Sequence, residues 1–482
     1  MNQPVSHSKN SRLSTWQPQL RKTEQAVTTQ LATQTPNETA PTGSVPEGVR
    51  LKAQAARVNY DLGEYAKAVR WLDNGGIAGL DTETVFAWAA ELERKRKYVV
   101  ATNLLKILVE HQKATDVDPS PTYFQVARLY RLRHDWESFV ESVICCLESG
   151  NCAKVLSLMA SMKRPALYEP LLENIERIRC KIGEKGYHPD RLLLAEADIY
   201  QLNGDFDRAA PCVGKVRDRK QFKGRRFAKH EPARPAFLII GSTKSGTTGM
   251  YHTLCQHPQI FGAMRKEIRY FGKPHATLDW YLSHFPRLPK GRGLITGEAT
   301  PNYYMKDVQQ QIRTTLPGVK LVCMLRNPAD RAVSQYFHGV KLGGMRQPLE
   351  NFFDPEELKQ LSQKSDMQLE EIAWACGNGN FQWNNCLVAG LYHFYLRRWF
   401  EVFGDQLLLV TMEEFRKDHG GTVNRVCDFL GVKRCKEMPL TNQYSGSYRG
   451  DPKVVEKVKS QLAEFYAPHN QRLADEFGVS FE

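Results

Sequence analysis

The chain of 482 residues lacks any apolar run approaching the ~20 residues that a bilayer-spanning helix needs, and its mean hydropathy is −0.48. Its opening residues, MNQPVSHSKNSRLSTW, hold no apolar core of the kind a secretory signal requires. The expectation from both absences is a cytoplasmic protein, or one that meets a membrane only peripherally. No CxxC pair or HExxH motif is present, so no metal site is expected. The 11 cysteines follow no framework spacing and read as buried free thiols. Cys427 and Cys435 are a pair that an oxidising compartment would bridge. No basic stretch is interleaved with aromatics in the manner of a nucleic-acid motif, so no nucleic-acid partner is expected.

What the sequence does have is an excess of positive charge, +13, much of it local. Lys215, Arg217, Arg219, Lys220, Lys223, Arg225, Arg226 and Lys229 crowd one segment, readable as a solvated linker or as a surface that attracts anions. Residues 1–47 are rich in Ser, Thr, Gln, Asn and Pro and are expected to be disordered, because they bury too little to offset ordering entropy. Residues 48–212 carry a helical pattern in which Tyr65, Tyr98, Trp136, Tyr168 and Phe206 recur at intervals near the ~34 residues of tetratricopeptide repeats. Gly63-Glu64-Tyr65-Ala66-Lys67-Ala68 and Gly204-Asp205-Phe206-Asp207-Arg208-Ala209 resemble the helix turns of that repeat. A TPR-like domain of this kind presents a concave face to a protein partner.

After a basic linker at 213–234, residues 235–482 alternate short apolar runs with helical stretches. Candidate strands are Ala236–Gly241, Leu294–Ala299, Val319–Leu325 and Gln406–Thr411. The expected fold is α/β, a P-loop-like, mainly parallel sheet flanked by helices. Leu391, Phe394, Tyr395 and Trp399 stand at core-facing spacing and read as packing.

Two motifs carry chemistry. In PAFLIIGSTKSGTTGMYHTL a buried strand ends at Gly241, a loop follows, and a helix opens near Thr247. Unpaired N–H groups and the dipole at a helix start favour an anion. Gly246 permits close backbone approach, Ser245, Thr247 and Thr248 lie in the same loop, and Lys244 brings charge. The lysine precedes the glycine, which excludes a Walker A loop. In LVCMLRNPADRAVSQYFH a strand delivers Arg326 to its carboxyl end, and Ser334 falls on the following helix. Ligands of open α/β sheets bind at such strand ends. Arg331 reads as a surface or packing residue.

Lys-x-Gly-Thr-Thr followed about eighty residues later by Arg-x(7)-Ser resembles the two nucleotide motifs of sulfotransferases that use PAPS (3′-phosphoadenosine-5′-phosphosulfate). The resemblance implies that Lys244, Ser245, Gly246, Thr247 and Thr248 hold the 5′-phosphosulfate and that Arg326 and Ser334 hold the 3′-phosphate. Lys266-Glu267-Ile268-Arg269-Tyr270-Phe271 is similar to the catalytic segment of the heparan-sulfate branch, as are Trp280-Tyr281-Leu282-Ser283 and Phe465-Tyr466-Ala467-Pro468-His469-Asn470. Tyr448-Arg449-Gly450 sits where the family closes a basic loop over the nucleotide, though the usual lysine is absent. Glu298-Ala299-Thr300-Pro301 has alanine where the glycosaminoglycan enzymes have lysine, which loosens the tie to an acidic polysaccharide.

The implied reaction is sulfuryl transfer from PAPS to a hydroxyl or amine, with PAP as product and a carbohydrate as first choice of acceptor. Glu267 is the expected base, its pKa raised by burial, and Lys244 the group that stabilises the leaving oxygen. His252, His257, His284 and His338 are alternative bases. Rival readings are a tyrosine or small-molecule sulfotransferase, a P-loop kinase, and a repeat scaffold with an inactive transferase domain.

Overall fold

The structure is a computed structural model that describes residues 10–33, 45–149, 165–182, 189–221, 230–341, 345, 347–379, 383–435 and 450–481. The chain forms two compact units, Met1–Asn203 and Gly204–Glu482.

The first unit is helical. Glu47–Asp61 packs on Tyr65–Asp73, Thr82–Arg94 on Tyr98–Ala114, and Ser120–Leu132 on Trp136–Glu148. The recurrence seen in the aromatics is also a recurrence of backbone conformation. Gly63, Arg96 and His134 all take left-handed φ values, +78°, +59° and +58°, two residues before Tyr65, Tyr98 and Trp136. At each, the next residue's N–H reaches back to close the preceding helix: Glu64 to Asn59, Lys97 to Leu92 and Asp135 to Tyr130, at 2.8, 2.8 and 3.1 Å. These bonds satisfy carbonyls that a helix end otherwise leaves unpaired. Within residues 1–47, where disorder was expected, Asn10–Thr33 is a helix. Its Val27 is buried with Leu51 and Ala55, a small apolar face that a composition-based reading overlooks.

The second unit opens with the helix Phe206–Gln221, so the expected linker at 213–234 begins as structure. Arg217, one of its basic residues, is buried and donates to Asp218 at 2.8 Å and to the Ser283 carbonyl at 3.3 Å. Lys215, Arg219 and Lys220 are exposed, while Lys223, Arg225, Arg226 and Lys229 lie outside the described residues.

Five strands follow: β1 Phe237–Gly241, β2 Ile260–Gly262, β3 Ile295–Ala299, β4 Lys320–Leu325 and β5 Leu407–Thr411. They form one sheet in the order β2-β3-β1-β4-β5, every described pair parallel. All residues of β1 are buried, as expected of a central strand covered on both faces. Phe237, Ile239, Val322, Met324 and Val410 share a core with Met250 and Leu254 of one helix and Val423 and Val426 of another. From β1 the chain first builds one side of the sheet and then crosses to the other. Strand order therefore reverses between β1 and β4, whose carboxyl ends border the crevice where such sheets bind ligands.

Nine cysteines in the described residues, Cys427 and Cys435 among them, are free thiols. No helix among the described residues is long and apolar enough to cross a membrane.

Gly63→Ala is expected to cost about 1 kcal/mol, because an alanine Cβ strains the left-handed region. Arg96→Gly, which relieves that strain at the matching turn, should leave the urea midpoint unchanged or raise it. A lower midpoint for Arg96→Gly would show that these turns are not equivalent.

Candidate active site

Three neighbouring strands, β3, β1 and β4, each present chemistry at the same edge of the sheet. After β1, the Ser242 N–H donates to the Met324 carbonyl at 2.5 Å, which fastens the loop to the end of β4. Gly246 caps the helix Thr247–Leu254 with φ +83°, a conformation that favours glycine, and so turns the helix start toward the crevice. Ser242 and Ser245 hydroxyls meet at 2.6 Å and both residues are fully buried. Ser245 therefore spends its side chain on the loop's own shape. Lys244, with φ +71°, is half-buried, Thr247 is buried and Thr248 is partly exposed.

Arg326, only 8% exposed, stands at the end of β4 and donates through Nη1 to the Lys244 carbonyl at 3.3 Å. Tyr392 Oη donates to the Arg326 carbonyl at 2.8 Å. Ser334 lies on the helix Pro328–Lys341, as the motif spacing implies. Gly450 sits against that same helix, where an added Cβ would come within 2.9 Å of the Phe337 ring. Tyr448 and Arg449 lie outside the described residues.

Glu267 comes from the segment before β3 and is pinned to that strand's end. Every backbone N–H from Glu267 to Phe271 is bonded to residues 298–303. Glu267 donates to the Ala299 carbonyl at 3.0 Å, Ile268 to Glu298 Oε2 at 3.3 Å, and Arg269 to Thr300 Oγ1 at 3.4 Å. Tyr270 and Phe271 donate to Tyr303 Oη at 2.8 and 3.4 Å. The acceptor side is organised by Glu298, fully buried, which also receives the Thr300 hydroxyl at 2.7 Å and the Tyr281 and Tyr303 hydroxyls at 3.1 Å each. Burial pushes the Glu298 carboxyl above its ordinary range even against these donors. A single buried carboxylate thus holds the whole segment in register.

The electrostatics are those of an anion site. Burial and then the nearby Arg326 and Lys341 hold the Lys244 ammonium below the ordinary lysine range, while Glu267 pulls it the other way. For Glu267 the expected rise does not occur. Burial does act upward, but hydrogen bonds from Lys266 at 2.8 Å and Arg269 at 2.6 Å outweigh it and lower the carboxyl. Arg269 is 60% exposed, so its pair with Glu267 orients the carboxylate more than it stabilises the fold. Lys266, quoted above only as part of the glutamate segment, and Lys341, outside both motifs, are cations to which the sequence reading gave no role.

Of the alternative bases, His257 bonds the Lys433 carbonyl at 2.7 Å and His284 the Trp280 carbonyl at 2.9 Å, both buried. Burial takes His284 down to about 3. His252 packs its ring against Tyr251. His338 differs: burial first, then Lys244 and Lys341, depress it and Glu267 raises it, which places it in the field of the lysine loop. Arg331 is a packing residue and fully buried, not on the surface. Among the described residues no cluster of three His, Cys, Asp or Glu is placed to hold a metal ion.

Glu298→Leu should leave three hydroxyls and the Ile268 N–H without their acceptor, lowering stability by about 3 kcal/mol or more in urea unfolding. Glu298→Gln, which keeps one acceptor oxygen, should recover part of that loss. Equal stability of Glu298→Leu and the parent protein would contradict the role given to this carboxylate.

Residues 234–450 match the family model described as Sulfotransferase domain. Heparan sulfate glucosamine 3-O-sulfotransferase 6 of Homo sapiens is 28% identical over 271 residues, covering 51% of this chain and 73% of that protein. The bifunctional heparan sulfate N-deacetylase/N-sulfotransferase 2 of Homo sapiens is 29% identical over 207 residues, 41% of this chain but 22% of that larger protein. A solved sulfotransferase from Alicyclobacillus acidocaldarius is 26% identical with a TM-score of 0.39, covering 52% of this chain and 98% of that one. Residues 234–450, which carry the lysine loop, the arginine at the end of β4 and the tethered glutamate, form a sulfotransferase domain.

Proposed function

We infer that this domain transfers a sulfuryl group from PAPS to a hydroxyl or amine of a carbohydrate acceptor. The observation that carries the reading is the convergence of Lys244, Arg326 and Glu267 on one sheet edge, within a domain of this family. The names of the heparan sulfate relatives favour a carbohydrate among acceptor classes.

In this reading Lys244 and the start of the helix Thr247–Leu254 hold the 5′-phosphosulfate, while Arg326 and Ser334 hold the 3′-phosphate. The acceptor oxygen forms a bond to sulfur as the bond from sulfur to the 5′-phosphate oxygen breaks. Glu267 takes the acceptor's proton, and Lys244 meets the charge that develops on the departing oxygen. Most of the catalysis is positioning and charge stabilisation, as in phosphoryl transfer. A carboxylate held low by Lys266 and Arg269 stays ionised, so it is ready as a proton acceptor across the neutral range.

The helical unit is proposed to be TPR-like and to dock a protein partner. Its support is the left-handed turn residue that stands two positions before each of Tyr65, Tyr98 and Trp136. A cytosolic or membrane-peripheral location is part of the same proposal.

Glu267→Gln should reduce transfer of labelled sulfate by at least about a hundredfold while PAP still raises the melting temperature. ATP with Mg²⁺ should give no comparable rise. Transfer near the parent rate would remove Glu267 from the mechanism. Lys266→Gln takes away one cation that lowers the Glu267 carboxyl, so the carboxyl's pKa should rise. Because the base must be ionised, the acid limb of the pH–rate profile should then move to higher pH; an unmoved limb would assign it to another group.

A further inference from the structure

Besides the end of β3, the Glu267 segment rests on a second element, the short helix Leu278–Ser283 and the residue after it. The Met264 N–H donates to the His284 carbonyl at 2.8 Å. Tyr270 stacks on Tyr281 with ring centroids 4.3 Å apart, and its ring lies 6.5 Å from that of Trp280. Lys273 sets its ammonium 5.0 Å from the centre of the Trp280 ring. Residues before and after Glu267 are therefore seated on a helix of only six residues. So short a helix has little stability of its own, and its place depends on what packs against it.

What packs against it is the helix Phe206–Gln221, which lies outside the residues 234–450 matched by the sulfotransferase family model. Its buried Phe206, Ala209, Val213 and Val216 recur at three- and four-residue intervals and make one apolar face. Phe206 meets Trp280 edge to face at 4.9 Å and lies under the same Lys273 ammonium, 5.6 Å from the ring centre. Two turns and more along the helix, the buried Arg217 donates to the Ser283 carbonyl at 3.3 Å, one of those that a helix end leaves without an internal partner. Asp218 accepts from Arg217 at 2.8 Å and from Arg287 at 3.1 Å, so the buried guanidinium is compensated where it stands. The short helix is thus gripped at its middle through Trp280 and at its end through Ser283.

We propose that the helix Phe206–Gln221 is part of the catalytic unit, with Phe206 and Arg217 as positioning residues that hold the Glu267 carboxylate in place through Trp280, Ser283 and Lys273. Its bearing on the reaction rests on the reading of Glu267 as the base. None of these residues belongs to the lysine loop or to the end of β4, so nucleotide binding does not depend on them.

The test follows amide hydrogen exchange in the full chain, in peptides covering residues 264–273, with Leu321–Leu325 of β4 as internal reference. Phe206→Ala should speed exchange of the amides from Glu267 to Phe271 about tenfold and leave those of β4 unchanged. Lys273→Met keeps most of the side-chain stem and removes the cation, and should give a smaller change in the same direction. Where Phe206→Ala does not fold, Lys273→Met alone decides. Unchanged exchange would overturn the proposal, and so would a rise that β4 shares equally, which is the result of a general loss of stability. With PAPS as donor and chemically desulfated heparin as acceptor probe, which offers both hydroxyls and amines, Phe206→Ala should lower kcat about tenfold while KM and the PAP thermal shift are kept. Faster local exchange with an unchanged kcat, in a chain that Glu267→Gln inactivates, would reject the positioning role. Faster local exchange in a chain that Glu267→Gln leaves at the parent rate would keep the helix's hold on the segment and reject Glu267 as the base instead. Faster local exchange in a parent chain that transfers nothing to this probe would likewise keep that hold and count against the reading of the acceptor.

Discussion

The arrangement of the site depends on one fully buried carboxylate. Glu298 lies at the carboxyl end of β3, fully buried, and gathers three hydroxyls and a backbone N–H. Through Tyr303, Thr300 and the end of β3 it fixes five successive backbone N–H groups, those of Glu267 to Phe271. Glu267 and Arg269 are in the left-handed region, at φ +64° and +57°, a conformation that non-glycine residues hold only when their surroundings fix it. Desolvating a carboxylate is costly, and here the cost is offset by a full set of donors. What the protein gains is the Glu267 carboxylate held at a fixed place on the edge of the sheet.

The same edge sets the polarity of the site. Parallel strands put β3, β1 and β4 ends side by side, so Glu267, Lys244 and Arg326 converge although their positions in the chain are far apart. Cations outnumber the one carboxylate among them, and burial keeps them from being fully hydrated. An anion that enters replaces lost hydration with fixed positive charge, which is the condition under which such groups act strongly. Lys266 and Arg269 keep Glu267 ionised in the same field.

Much of this was legible in the sequence. Four of the five strands were placed to within a residue, because buried parallel strands are short apolar runs bounded by turn residues. β2 was not, since Ile260-Phe261-Gly262 is too short to carry a pattern. The two motifs that resemble the family's nucleotide motifs are local, so Lys244, Gly246, Arg326 and Ser334 could be singled out in the sequence. The part played by Glu298 was invisible, because its partners lie up to about thirty residues away and nothing in Glu-Ala-Thr-Pro says which way the side chain points. The pKa of Glu267 was misjudged for the same reason: burial was foreseen, while the pairing with Lys266 and Arg269 depends on a backbone turn. Arg331 read as a surface or packing residue, and burial decides for packing, while the basic run at 213–221 looked like a linker although Arg217 is a buried helix residue. Charge-rich composition conceals helix faces that only packing reveals.

The central claim is that one nucleotide lies across the β1–β4 crevice with its two phosphates on two different motifs. A crystal structure of the complex with PAP tests it most directly. The account predicts the 5′-phosphate at Lys244 and the start of the Thr247–Leu254 helix, and the 3′-phosphate at Arg326 and Ser334. PAP bound in the opposite direction, or away from this crevice, would contradict it.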